Sequence, residues 1–94
     1  MRRVHVLVSG DVQGVGYRYT MKIVAADAGV VGWVRNRRDG RVEAEFEGDD
    51  APVDEVLAWM AGGPPGARVT AAQVTDASPR GSSAESGFEV RPTA

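Results

Sequence analysis

The run Val8-Ser9-Gly10-Asp11-Val12-Gln13-Gly14-Val15-Gly16-Tyr17-Arg18 carries the strongest chemical signal in the chain. It reads as a strand end, a glycine-spaced loop and the first turn of a helix. A helix start leaves its first N–H groups without intrahelical acceptors and carries about half a positive charge. Gly10, Gly14 and Gly16 let the backbone turn through φ > 0 and approach a ligand closely. Arg18 falls at the unfavourable end of its helix, where a cation costs about 0.3–1 kcal/mol. An anion between the guanidinium and the N–H groups reverses that sign. The planar fork of arginine suits two phosphate oxygens. The run is not a Walker loop, because no Gly-Lys-Ser/Thr follows. It is not the dinucleotide fingerprint, because the third glycine is missing. Taken alone, it also fits a glycine-rich turn with an exposed arginine.

The rest of the inventory narrows the chemistry. With no cysteine in the chain, disulfides, thiolate nucleophiles and thiolate metal sites are excluded. His5 is the single histidine and is expected to be a surface or packing residue, so no metal and no cofactor are expected. Net charge is −2, but it is unevenly spread: residues 1–41 carry eight basic and three acidic side chains, and residues 42–94 carry three and ten. The basic half holds both the glycine loop and Arg35, Arg37, Arg38 and Arg41, a field that draws in a small anion. A nucleic-acid binder is more often basic overall. The start Met1-Arg2-Arg3-Val4-His5 turns polar too soon for a signal peptide, and no apolar run spans a membrane. A cytoplasmic, free-standing, monomeric protein with a single domain over residues 1–94 is expected.

These residues need elements to position them. Val4, Val6 and Val8 alternate with polar neighbours, predicting a half-buried strand over residues 3–9. Tyr17, Met21, Val24, Ala25 and Ala28 fall on one helical stripe that Gly29 stops. Residues 30–37 read as a second strand, and Asp39-Gly40 as a hairpin signal. Val42, Ala44 and Phe46 then face inward, with Glu43, Glu45 and Glu47 outward toward solvent. Asp49 or Asp50 caps a second helix with Pro52 in its first turn, and Val53, Val56, Leu57 and Met60 form its buried stripe. Residues 69–75 make a fourth strand, 76–86 a flexible loop and 88–91 a short last strand. Trp33 and Trp59 are expected to pack. The order predicts an α+β, ferredoxin-like split βαβ sandwich, an antiparallel sheet with two helices on one face. In that topology Asn36 falls near the glycine loop.

Two segments resemble a known family, the acylphosphatases, over nearly the whole chain. Gly10-Asp11-Val12-Gln13-Gly14-Val15-Gly16-Tyr17-Arg18 is similar to the family's G-x-V-Q-G-V-x-F-R. Gly32-Trp33-Val34-Arg35-Asn36, followed by Gly40, Val42 and Gly48, is similar to its G-W-V-x-N-x-x-x-G-x-V segment. The resemblance implies hydrolysis of the carboxyl–phosphate bond of small-molecule acyl phosphates. Arg18 and Asn36 would be catalytic, and Gln13, Gly14, Val15, Gly16, Tyr17 and Arg18 would form the phosphate-binding loop. It implies no cofactor, metal, nucleic acid or membrane partner. Tyr17 stands where phenylalanine is usual, and its added hydroxyl needs a partner or solvent. The tail Arg91-Pro92-Thr93-Ala94 departs from the common family ending and is expected to affect contacts near the amino terminus.

Two rivals share the scaffold. An RNA-binding module needs exposed aromatics on central strands and a basic face, and the outward glutamates oppose it. A catalytically idle anion-binding domain is opposed by the presence of both Arg18 and Asn36.

Overall fold

The computed structural model describes residues 1–81 and 86–94. Its elements run β1 (Arg2–Asp11), α1 (Tyr17–Ala28), β2 (Val31–Asn36), β3 (Val42–Gly48), α2 (Asp50–Gly62), β4 (Arg68–Ala77) and β5 (Phe88–Val90). The strands form one sheet in the order β4-β1-β3-β2-β5. The β1–β3, β1–β4 and β2–β3 pairs are antiparallel, and β5 lies parallel to β2. This is the ferredoxin-like α+β sandwich, with two helices packed on a mostly antiparallel sheet.

The alternation in β1 and β3 explains the layering. Val4, Val6, Val8, Val42, Ala44 and Phe46 are fully buried, and Met21, Ala25, Val53, Val56 and Met60 of the helices complete the core. Leu57 packs only at its edge. Gly29 closes α1 in the left-handed region at φ 83°, with its N–H donating to Ala25 O and Ala26 O, the glycine C-terminal stop that the sequence suggests. Asp49 begins α2 in an extended conformation, but its side chain makes no capping hydrogen bond. The β4 strand is longer than expected and covers part of the anticipated loop; residues 82–85 of that loop lie outside the described residues. No helix among the described residues is long and apolar enough to cross a membrane.

The glutamates of β3 do lie on the helix-free face, but not in open solvent. Glu47 is 1 % exposed and Glu43 7 % exposed, because basic partners cover them. Arg3 binds Glu45 and Glu47, and Glu43 takes His5, Arg35 and Arg37. Trp33 also packs on this face rather than in the core, held between the Arg35 and Arg91 guanidiniums at 4.8 and 4.9 Å from its ring centre. Cross-strand pairing of Trp33 with Glu45 and Arg35 with Glu43 sets this register.

Candidate active site

The site forms where β1 gives way to α1. A register shift between Ser9 and Gly10 bends the end of β1. Gly10 has φ 122°, and a Cβ there would stand 2.1 Å from Arg68 O, so both conformation and close approach require glycine. Val12 then drops into the core at 1 % exposure. Gly14 and Gly16 have φ 75° and 79° with open space around them, so conformation alone demands glycine there.

Gly16 occupies the cap position of α1, and the first helical bond runs from Thr20 N to Gly16 O at 3.0 Å. No side chain caps this end and no acidic residue lies in the first turn. The N–H groups of Tyr17, Arg18 and Tyr19 therefore have no intrahelical acceptor, and the positive end of the helix faces outward uncompensated. Arg18 deepens that field. Among the described residues no carboxylate comes within ion-pair distance of it; its guanidinium lies 6.0 Å from the Tyr19 ring.

A cavity of about 190 Å³ opens here, lined by Val12, Gly14, Gly16, Tyr17, Arg18, Tyr19 and Asn36. That is smaller than the ~300–1,000 Å³ of pockets that engulf drug-sized ligands and is on the scale of a small anion. Asn36 comes from the end of β2, on the helix-facing side opposite Val42. Its Oδ1 is buried without a hydrogen-bond partner. Such an acceptor is uncommon, since buried polar atoms are nearly always satisfied. Its backbone is held firmly, with Asn36 O accepting from Ala94 N at 3.0 Å and Ala94 O accepting from Arg38 N at 2.8 Å. The carboxyl-terminal tail thus borders β2 and the hairpin beside Asn36, not the amino terminus.

Arg18, Asn36, Gly14, Gly16 and Tyr17 therefore meet at one cavity. Gln13 and Val15 belong to the same loop, but neither lines it. Val15 packs against the core, and Gln13 Nε2 donates to Arg37 O at 2.7 Å and Arg41 O at 2.9 Å. The Tyr17 ring is buried against Trp59, and its hydroxyl finds the required partner in Met60 O at 2.8 Å. Burial pushes that phenol well above its ordinary pKa, so it stays neutral. Val12 and Tyr19 are cavity residues that sequence reasoning did not single out. For Tyr19 the signal was its position next to Arg18 in the first helical turn.

Element order, sheet topology and this cavity together define a ferredoxin-like domain with an anion-compatible opening at its first strand–helix junction. Residues 4–90 match the acylphosphatase family model. The chain is 50% identical over 91 residues to an acylphosphatase from Synechococcus sp., covering 97% of this chain and 94% of that one. It superposes on the crystal structure of acylphosphatase from Bacillus subtilis with a TM-score of 0.90 at 35% identity, covering 97% and 99% of the two chains. It also superposes on 12% of a full-length HypF with a TM-score of 0.86, at 21% identity a likeness of fold alone. The chain belongs to the acylphosphatase family and is an enzyme of that kind.

Proposed function

We propose that the chain hydrolyses small acyl phosphates by direct attack of water on a phosphate held by Arg18 and the backbone amides at the start of α1. One observation carries this reading: Arg18, without a carboxylate partner among the described residues, and Asn36, from a strand far along the chain, line the same cavity. The nonbridging phosphate oxygens accept from the free N–H groups and the guanidinium, which act as a preorganised field as charge shifts in the transition state. The Asn36 carboxamide has no proton affinity at neutral pH; it hydrogen-bonds the attacking water and sets its direction.

The water oxygen bonds to phosphorus as the acyl C–O–P linkage breaks on the phosphorus side. The electron pair leaves with the carboxylate, and the proton of the water passes to a phosphate oxygen. A carboxylate with a pKa of about 4–5 departs without a general acid. The sequence has no cysteine and a single histidine, His5, which is bound to Glu43 away from the cavity, in keeping with a reaction that needs neither. The protein is proposed to act as a monomer.

The test is hydrolysis of acetyl phosphate and benzoyl phosphate by wild type, Arg18→Ala and Asn36→Ala. Arg18→Ala should lose about 10²–10³-fold in kcat/KM, with weaker binding and slower turnover. Asn36→Ala should lose mainly kcat, with KM within about twofold. No hydrolysis by wild type overturns the activity; full activity in Arg18→Ala overturns the site.

A further inference from the structure

We propose that Gln13 is a positioning residue that clasps the phosphate loop to the β2–β3 hairpin and so fixes Asn36 relative to the phosphate. The proposal rests on the functional reading above and concerns a side chain that this reading leaves unused. A glutamine amide has two N–H donors. Both are committed, one to Arg37 O at 2.7 Å and one to Arg41 O at 2.9 Å. None remains for a phosphate, and the other end of the side chain is a carbonyl that repels one. Gln13 therefore serves the site through its neighbours.

The two accepting carbonyls are the neck of the hairpin. Arg41 O also accepts from Arg37 N at 2.8 Å, and Arg37 O from Gly40 N at 3.1 Å. Each carbonyl has two lone pairs, so Gln13 fills the second position on both. Asn36 is joined directly to Arg37, and Gln13 directly to Gly14. The clasp thus couples the residue before the cradle to the residue after the water-orienting amide. Around it the loop alternates: Val12, Gln13, Val15 and Tyr17 are anchored inward, and Gly14 and Gly16 are exposed at the cavity. The hairpin end is independently stiff, because Arg35 and Arg37 share Glu43 at 2.7 and 3.2 Å. The Gln13 bonds extend the link between these two parts beyond the β1–β3 ladder, whose last rung joins Val8 to Val42. A displacement of about 1 Å between reacting groups can cost about 10²-fold in rate.

The experiment compares Gln13→Ala and the isosteric Gln13→Glu, whose carboxylate opposes both carbonyls, with wild type and with the same changes in an Asn36→Ala background. Expected is a kcat fall of about tenfold to a hundredfold, with the inhibition constant of inorganic phosphate changed less than about threefold. In the Asn36→Ala background the further loss should be under about threefold. Three outcomes overturn the proposal: phosphate inhibition weakening in parallel with kcat, a kcat loss undiminished without Asn36, or a lowered Tm with unchanged kcat. If Gln13→Ala does not fold, Gln13→Glu carries the comparison. If wild type proves inactive, the functional reading fails on its own. The clasp is then read from the ¹H–¹⁵N resonance of the Asn36 carboxamide, where unchanged shifts in Gln13→Glu overturn it.

Discussion

On the helix-free face of the sheet, Arg3 is 1 % exposed and meets Glu45 and Glu47, while Arg35 and Arg37 converge on Glu43. At the start of α1, Arg18 stands beside the positive end of a helix with no carboxylate partner among the described residues. Both regions concentrate arginine, and they use it oppositely. The first neutralises its charges internally, and Glu43 and Glu47 are so well covered that they count among the buried residues. The second leaves its charge and N–H groups uncompensated, which costs stability until an anion arrives. Pairing, not arginine content, separates the part that holds the sheet from the part proposed to meet substrate.

The comparison breaks most visibly in activity. Arg18→Ala should reduce kcat/KM by about 10²–10³-fold in steady-state hydrolysis while the fold persists. Glu47→Ala should do the reverse. It strips a buried partner from Arg3 and the acceptor of the Arg80 and Gly81 N–H groups at 2.7 and 3.0 Å. Thermal melts should show Tm lower by about 10 °C or more, with kcat at 25 °C within about twofold.

Acid tests the paired region next. Burial raises the Glu43 pKa, but hydrogen bonds from His5, Arg35 and Arg37 outweigh it and hold the carboxyl at about 2. The Arg80 N–H likewise leads the groups that hold Glu47 below its ordinary value of 4.5, against burial and together with Gly81 and Arg3. In this window the unfolded chain binds more protons than the folded one. The stability from both groups is therefore full above about pH 4.5 and is lost as pH falls below it, for Glu43 toward about 2. Urea midpoints should drop across this range, and Glu43→Gln should flatten the drop. The smallest effect is at the site: in phosphate-free buffer Arg18→Ala should be more stable than wild type by about 0.3–1 kcal/mol, measured by urea unfolding. Added inorganic phosphate should raise the wild-type midpoint and leave that of the variant nearly unchanged.

Much of this was legible in one dimension. The alternation of Val4, Val6 and Val8, the stripe from Tyr17 to Ala28 and the stop at Gly29 depend on local periods and backbone preferences, which sequence carries directly. The misplaced charge of Arg18 was equally visible, because helix polarity is set by chain direction. Gln13 was less legible. Within the loop it read as part of the phosphate cradle, whereas its side chain reaches carbonyls 24 and 28 residues away. The glutamates of β3 read as solvated because alternation names a face and not what covers it.

The sequence by itself determined the elements, their order, the family and the anion-seeking character of the first helix start, since each follows from neighbouring residues or short motifs. Only the tertiary structure decided that Asn36 reaches the same cavity as Arg18, that its Oδ1 stays unpaired, and that Gln13 serves the hairpin neck. Those are contacts between segments far apart in the chain. They follow from the antiparallel pairing of β3 with both β1 and β2 and from the bend at Gly10, which place the loop and the hairpin at one end of the sheet.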